Sequence, residues 1–346
     1  MANRRNKNPY QPLAPPELPT FGTVPIIPHN LIVIFRLARP RTWAFPVLSF
    51  ILGYTISGGG PLYPVLLGLG VASLVTASTN LVNAYADRRE DAVNQPSRVF
   101  LVDRIGARGA LAASLLFYGI AGALSIYLGI LFVLVLAIGI FNSLFYSLPP
   151  LRFKAKPLAS LVSFSGAVGL AFLSGYSING SINLFNPVFL LATYFMLTYG
   201  TVKNLPDYSG DKRAGTRTSA TIFADVRKAV LFTGVLLFTP YILLITLVET
   251  GLLGTIYLLD LGLALILALI VNGMWKAKTP EGLEKAHTFG FFYAISFLAF
   301  TLVLSSPTLQ SLTAVTGAFV WTLLVSQVKV DSRIEKRDWE KRRNKS

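Results

Sequence analysis

The chain contains no cysteine and only two histidines among its 346 residues. The absence of cysteine excludes a disulfide framework and thiolate chemistry. The histidines, His29 and His287, are far apart in the sequence, and neither belongs to a pattern with zinc-ligand spacing. We therefore predict no zinc site and interpret both histidines as ordinary loop or helix-end residues.

Charged residues are also scarce, at 14% of the chain, whereas 53% of the residues are hydrophobic and the mean hydropathy is +0.58. A soluble domain of this length needs more polar surface than this composition supplies. The apolar runs are about 20 residues long and continuous rather than alternating, which argues against a β-barrel. The sequence predicts an all-α polytopic membrane protein.

These runs predict ten membrane spans, which cover residues 33–57, 62–86, 109–127, 129–148, 157–178, 186–206, 226–248, 252–275, 286–306 and 309–327. The third and fourth spans require a tight turn at Leu128 and Gly129. The basic, proline-rich segment 1–32 lacks the apolar core of a signal peptide, so we predict a disordered tail there. A membrane domain over 33–306, a further helix over 307–328 and a basic tail over 329–346 complete the predicted organisation.

Positive charge is confined to one set of connections. The segments 57–64, 177–187, 249–254 and 305–311 contain no Lys or Arg, and all 31 Lys and Arg fall on the other side. The positive-inside rule makes that side, with both termini, cytoplasmic, and this requires an even number of spans. The net charge of +15 is then a topology signal plus attraction to anionic lipid headgroups, and no nucleic-acid partner is predicted.

The second span ends in NLVNAYADRRED, where Asn83, Asp87 and Asp91 recur at four-residue intervals. Four residues advance an α-helix by about 400°, so the three side chains share one face. Carboxylates near membrane depth are costly and are usually paired or functional.

The sixth span ends in the same way, in TVKNLPDYSGDKRAGTRTS. Asp207 and Asp211 repeat the four-residue spacing, each 120 residues after its counterpart in the first motif, and Asn204 precedes them. Four spans separate the two motifs, so both face the cytoplasm. The recurrence also indicates a pseudo-repeat of four-helix units.

Two such helix ends provide hard oxygen ligands, which suit Mg²⁺ bound together with a substrate phosphate. Cationic side chains follow from the turn FYSLPPLRFKAKP after the fourth span, in which Arg152 and Lys154 can bind phosphate oxygens. Lys203 and Lys212 flank the second acidic motif and can do the same.

At these residues the sequence resembles the UbiA superfamily of intramembrane prenyltransferases. The first motif continues as DAVNQPSR and the second reads KNLPDYSGDKRAG, and both are similar to the paired aspartate motifs of that family. The segments YSLPPLRFK and ARPRTW are similar to further family features. Many members have Asp where this chain has Asn204. The resemblance extends over about residues 35–305.

The resemblance implies nine helices around a central cavity that opens to the cytoplasm, and the span at 309–327 would be a tenth. It also implies transfer of an isoprenyl group from its diphosphate to a membrane-associated acceptor. Mg²⁺ would be bound by Asn83, Asp87, Asp91, Asn204, Asp207 and Asp211. Arg152, Lys154, Lys203 and Lys212 would neutralise the diphosphate, and Tyr146, which matches a family position, would face the allylic cation.

The acceptor stays open. The quoted segments look closest to branches acting on aromatic quinone precursors or chlorophyllides, and a glycerol-ether lipid acceptor is a further option. A terpene cyclase or a phosphosugar-lipid synthase would use the same fold. A transporter would require polar groups at several membrane depths, and Asp260 alone lies mid-span; we assign it no catalytic role. We expect a prokaryotic plasma membrane protein.

Overall fold

The structure, a computed structural model, describes residues 29–213 and 215–327. The tail predicted over 329–346 lies outside the described residues, as does the tail predicted over 1–32 except for its last four residues. The described residues form fourteen α-helices and no β-strand, which confirms the all-α prediction. In chain order these helices are α1 His29–Leu37, α2 Ala44–Ile56, α3 Leu62–Ala86, α4 Arg88–Asn94, α5 Pro96–Ile105, α6 Ala107–Ser125, α7 Ile130–Ser147, α8 Pro157–Ser177, α9 Pro187–Tyr199, α10 Tyr208–Arg213, α11 Val226–Glu249, α12 Leu263–Lys276, α13 Pro280–Ser305 and α14 Leu309–Gln327.

Eight helical segments are long and apolar enough to cross a membrane, and they coincide with eight of the ten predicted spans. They comprise α3, α6, α7, α8, α11, α12, α13 and α14, where α6 and α12 are each extended by a 3₁₀ helix. The predicted tight turn between the third and fourth spans is also present. Gly129 makes it with φ 98°, a conformation that glycine adopts at little cost.

The other two predicted spans are shorter than expected. The span predicted over 33–57 is divided into α1 and α2 by a 3₁₀ helix, Pro40–Trp43. Pro40 donates no helical hydrogen bond and disfavours helical geometry at Arg39, which adopts φ 49°. The span predicted over 186–206 is helical only as far as Tyr199, and Gly200, a weak helix former, follows it.

These two short helices, α2 and α9, have 13 residues each and lie inside the bundle. Nine residues of α2 are buried, and α2 packs closely against α8. A Cβ at Gly175 of α8 would lie 2.0 Å from the backbone oxygen of Phe50, so only glycine permits this approach. Although α2 and α9 are too short to span a bilayer, the surrounding protein leaves little of their backbone exposed to hydrocarbon. Each of the ten predicted spans therefore contains a helix, eight of them long enough to cross a membrane and two of them short.

Small polar side chains fix the contact between α3 and α6. Ser78 and Ser114 each donate a hydrogen bond from Oγ to the other's backbone carbonyl, both at 3.1 Å. Small residues allow the close approach that drives helix association in lipid. This contact holds α3, which lines the central cavity along much of its length.

Candidate active site

A cavity of about 360 Å³ lies within the bundle, lined by α2, α3, α7, α8 and α13 and by the connections at one end. Along α3 the lining passes from Gly68 and Val71 through Thr79 to Asp87 at the helix end. At about 1.5 Å of rise per residue this stretch is about 28 Å long, close to the thickness of a bilayer core. The lining is apolar at the end that contains Gly68 and Val71, and it is polar at the end that contains Asp87.

The first acidic motif lines the polar end. Asp87 terminates α3, yet the helical hydrogen bonds continue across it, from Asp87 N to Asn83 O at 2.9 Å and from Asp91 N to Asp87 O at 2.8 Å. The three side chains keep the shared face that the spacing predicts, and all three line the cavity. Ser147 donates a hydrogen bond to Asn83 Oδ1 at 2.8 Å, which leaves the amide group fixed in orientation.

The second acidic motif lines the same end. Asp207 precedes α10 and Asp211 lies in its first turn, with Asp211 N bonded to Asp207 O at 2.9 Å. The short helices α4 and α10 pack against each other, and Asp91 and Asp207 interact electrostatically. Asn204 also lines the cavity and donates from Nδ2 to Ser219 Oγ at 2.8 Å. The structure thus brings all six predicted metal-binding residues to one cavity.

Two of the four predicted diphosphate-binding residues line the cavity as well. Lys154 forms an ion pair with Asp87 and lies 3.7 Å from a carboxylate oxygen of Glu90. Lys203 donates to the hydroxyl of Tyr146 at 2.5 Å, and its Nζ lies 4.2 Å from the centre of the Phe164 ring. Lys154 is thus held by carboxylates, whereas Lys203 is held by aromatic side chains of the same cavity.

The other two predicted cations lie outside the lining. Arg152 forms an ion pair with Glu90, which itself lines the cavity, so Arg152 is one side chain removed from it. Lys212 contacts Tyr208, donating to its hydroxyl at 2.7 Å, and it also donates to the Ala224 carbonyl. Both residues stay predictions as diphosphate ligands, and the geometry favours Lys154 and Lys203 for direct contact.

Tyr146, the predicted cation-stabilising aromatic residue, lines the cavity near its polar end. The centre of its ring lies 4.8 Å from the Nζ of Lys203. Because the same Nζ lies 2.5 Å from the Tyr146 hydroxyl, the ammonium group is at the hydroxyl edge of the ring. The phenol group also lies close enough to Asp87 and Asp211 to interact with both electrostatically, so Tyr146 and these two carboxylates line the same part of the cavity.

Several lining residues had no role in the sequence interpretation. Arg98 is buried, lies 3.0 Å from Asp91 Oδ2 and donates to the Asn80 carbonyl at 3.0 Å. Arg41 is buried with its guanidinium 4.5 Å from the centre of the Phe291 ring. The sequence signals that could have identified them are the family-like segments DAVNQPSR and ARPRTW. His287, interpreted as a loop or helix-end residue, is instead buried within α13 and lines the cavity, because an apolar helix carries it into the core.

The charges of the described lining residues balance. Its carboxylates are Asp87, Glu90, Asp91, Asp207 and Asp211, and its fully cationic side chains are Arg39, Arg41, Arg98, Lys154 and Lys203. Burial raises the pKa of the Asp91 carboxyl to about 6, and the neighbouring Arg98 opposes this rise. The cavity therefore carries no surplus positive charge, and a cation near Asp91 would favour its ionised form.

The donor set fits Mg²⁺. Carboxylate and amide oxygens are the ligands that Mg²⁺ prefers, and the six predicted ligands supply only these. No three Asp, Glu or His side chains converge at one point among the residues the structure describes. An ion bound here would complete its coordination with water or phosphate oxygens, as Mg²⁺ commonly does. Asp87, Asp91, Asp207 and Asp211, with Asn83 and Asn204, are the residues that would bind it.

Several proteins of known name are similar to this chain, among them two digeranylgeranylglyceryl phosphate synthases and a bacteriochlorophyll synthase chain. A digeranylgeranylglyceryl phosphate synthase of Methanopyrus kandleri is 31% identical over 264 residues, covering 72% of this chain and 93% of the relative. A synthase of the same name from Halobacterium salinarum is 32% identical over 199 residues, or 56% and 70% of the two chains. The bacteriochlorophyll synthase 34 kDa chain of Chloroflexus aurantiacus is 27% identical over 225 residues, or 62% and 72%.

The fold is also similar to that of solved structures. A UbiA homologue from Archaeoglobus fulgidus, solved with DMAPP and Mg²⁺, superposes with a TM-score of 0.61 at 22% identity, covering 77% of this chain and 99% of that one. Residues 46–295, which are 250 of the 346, match the UbiA prenyltransferase family. This match shows that the chain belongs to the UbiA prenyltransferase family, as its two aspartate motifs predict.

Proposed function

We propose that the protein transfers an isoprenyl group from an isoprenyl diphosphate to a membrane-associated acceptor, in a reaction that depends on Mg²⁺. One observation carries the proposal: a single cavity has two acidic motifs at one end and apolar walls along the remainder of α3. An isoprenyl diphosphate has the same division, with a charged head and an apolar tail. The Archaeoglobus homologue solved with DMAPP and Mg²⁺ supports this choice of ligands.

The charge balance of the lining explains why a metal ion is needed. A diphosphate adds several negative charges to a cavity whose own charges cancel. Bound Mg²⁺ would supply positive charge against the phosphate oxygens and assist departure of the diphosphate. The four aspartates would bind this ion beside the diphosphate group of the donor. Lys154 and Lys203 would neutralise phosphate oxygens directly.

The side chains then support one bond exchange. The bond between the allylic carbon and the diphosphate oxygen breaks, and its electron pair leaves with the diphosphate. The ring face of Tyr146 stabilises the positive charge on the carbon. The apolar walls exclude water, which would otherwise capture the cation. A nucleophilic atom of the acceptor forms the new bond to that carbon and loses its proton.

A glycerol-ether lipid phosphate is the first acceptor class to test, because relatives over 30% identical are named digeranylgeranylglyceryl phosphate synthases. A tetrapyrrole is the second, because a bacteriochlorophyll synthase is 27% identical. Aromatic quinone precursors stay a prediction from the sequence segments. The positive-inside rule predicts that the polar end of the cavity faces the cytoplasm.

The test is a product assay in liposomes with labelled geranylgeranyl diphosphate and Mg²⁺. The acceptor panel comprises geranylgeranylglyceryl phosphate, a chlorophyllide, homogentisate, 4-hydroxybenzoate and dihydroxynaphthoate. Wild type is compared with Asp87→Ala and Asp207→Ala, with Asp103→Ala as a matched control because Asp103 is half-exposed and lies outside the lining. Labelled adduct that disappears only in the Asp87 and Asp207 variants supports the proposal and identifies the acceptor class.

Three results would count against the proposal. Diphosphate release with a cyclic hydrocarbon would indicate a terpene cyclase. A labelled phosphosugar lipid, formed when a sugar phosphate is added to the assay, would indicate the corresponding synthase. A folded protein that turns over no acceptor of the panel would contradict prenyl transfer to these classes.

A further inference from the structure

The helix α14 lies beyond residues 46–295, the part of the chain that matches the family, and none of its residues belongs to the cavity lining. It packs against α2 and against the 3₁₀ helix Pro40–Trp43. The indole Nε1 of Trp321 donates a hydrogen bond to the Pro40 carbonyl at 2.9 Å. A helix outside the family match is therefore bonded to the backbone between Arg39 and Arg41, both of which line the cavity.

Aromatic packing adds to this hydrogen bond. The Trp321 ring stacks on Trp43, with centroids 5.7 Å apart and an interplanar angle of 23°. Phe35 meets both indoles edge-on, at 5.9 Å from Trp43 and 6.4 Å from Trp321. The three rings form an aromatic cluster, Phe35–Trp43–Trp321, that joins α1, the 3₁₀ helix and α14. Such pairs contribute beyond their buried area, so the cluster fixes the position of the indole N–H.

The segment that Trp321 holds is strained and constrained on its other side. Arg39 is a non-glycine residue with φ 49° and ψ 61°, a left-handed conformation that persists only where surrounding contacts impose it. Asn80 of α3 donates from Nδ2 to the Ala38 carbonyl and to Thr42 Oγ1, both at 3.1 Å. The turn is thus held by α3 on the cavity side and by Trp321 on the outer side.

We propose that Trp321 is a positioning residue for substrate binding, because its hydrogen bond to Pro40 fixes the turn that presents Arg39 and Arg41 to the cavity. The ligand is an anionic oxygen, either of the donor diphosphate or of an acid group on the acceptor. The inference rests on the proposed function for its kinetic test. It assigns a role to a helix that the family match does not include.

Trp321→Phe is the informative substitution, because it keeps an aromatic ring in the cluster and removes the N–H donor. Loss of one such hydrogen bond corresponds to about a three- to tenfold change in binding. We expect the KM for one of the two substrates to rise by about that factor, with kcat changed less than twofold. The substrate whose KM rises is the one that the turn contacts. The matched control is Trp275→Phe, because Trp275 is a half-exposed indole of α12 outside the cavity lining.

A double variant tests whether the effect passes through the turn. In an Arg41→Met background, which keeps the apolar stem but removes the guanidinium, Trp321→Phe should raise KM less than it does in wild type. The same comparison is made in an Arg39→Met background, and effects equal to that in wild type in both backgrounds would overturn the role of the turn. A Trp321→Phe variant with a lower melting temperature but with both KM values equal to those of Trp275→Phe would show a merely structural residue and would also overturn it.

A binding assay separates failure of this inference from failure of the proposed function. If no acceptor gives turnover, calorimetry with inorganic pyrophosphate and with glycerol 1-phosphate in the presence of Mg²⁺ replaces the two KM measurements. Weaker binding of either probe to Trp321→Phe than to Trp275→Phe supports the positioning role. Unchanged binding of both probes overturns it, whatever the reaction catalysed.

Discussion

Replacing Arg98 should destabilise the protein more than replacing any exposed ion-pair partner on the same helices. Arg98 of α5 is 4% exposed, its Nη1 lies 3.0 Å from Asp91 Oδ2 on α4, and its Nη2 donates to the Asn80 carbonyl of α3 at 3.0 Å. One guanidinium therefore joins three helices at the acidic end of the cavity. Arg98→Met keeps the apolar stem and leaves Asp91 buried without this partner.

The expected cost follows from the burial of the pair. Breaking a buried ion pair by removing one partner costs about 3–5 kcal/mol, because the remaining charge stays desolvated. At about 2–4 °C per kcal/mol, Arg98→Met should lower the melting temperature by about 6–20 °C. Arg88→Met is the control, because the Arg88–Asp103 pair joins the same two helices and is about half-exposed. An exposed pair contributes at most about 1 kcal/mol.

The assay is thermal unfolding in detergent of Arg98→Met, Asp91→Asn and the double variant. Each single substitution leaves one charge without its partner, whereas the double substitution leaves none. The double variant should therefore be less destabilised than the sum of the singles, by about 1–3 kcal/mol. Asp91→Asn should lose activity in either background, because Asp91 is a predicted metal ligand. Additivity within about 0.5 kcal/mol, or a loss for Arg98→Met as small as for Arg88→Met, would refute the reasoning.

Three further predictions follow from the same structure. Lys203→Met should raise the donor KM by at least about tenfold, since a charge-assisted contact is worth about 1.5–3 kcal/mol. Lys212→Met, which changes a residue outside the lining, should change the donor KM less than twofold. Equal effects of the two substitutions would contradict the assignment of direct contact. Gly175→Ala should lower the melting temperature or abolish folding, because the new Cβ would lie 2.0 Å from a backbone oxygen of α2. Gly70→Ala, whose Cβ would have no neighbouring atom within 4 Å, should be neutral or slightly stabilising. The opposite order of melting temperatures would be inconsistent with the packing. Asp260→Asn should retain full prenyl transfer, because Asp260 is fully buried outside the cavity lining, and a loss of turnover in folded protein would show that this carboxylate is used.

The acidic motifs were predictable because helical periodicity fixes their geometry locally. The spacing of Asn83, Asp87 and Asp91 places them on one face, and backbone hydrogen bonds carry that face across the end of α3. The even number of intervening spans brings Asp207 and Asp211 to the same side. Membrane spans were similarly readable, because a lipid environment requires long continuous apolar helices.

The prediction of one continuous helix over 33–57 was wrong, because several side chains of this segment face the cavity rather than lipid. The apolar run at 33–57 contains Arg39, Pro40 and Arg41, and its hydropathy concealed a broken helix. Around this break the backbone contacts α3 and α14, which are distant in sequence. Hydropathy reports only how well a segment tolerates lipid, so it cannot distinguish a spanning helix from a short one enclosed by other helices.

The membrane class and the placement of both acidic motifs at one end of the bundle could be predicted from the sequence, because apolar periodicity and loop charge encode them. The family could be predicted from the resemblance of those motifs. The identity of the cations that line that end became clear only from the packing of the helices. Lys154 and Lys203 line the cavity, whereas Arg152 and Lys212 are held by Glu90 and Tyr208 outside the lining. These side chains are long and lie in or beside helices of three to six residues. Neighbours supplied by other parts of the bundle therefore determine their direction, and no spacing along the chain encodes it.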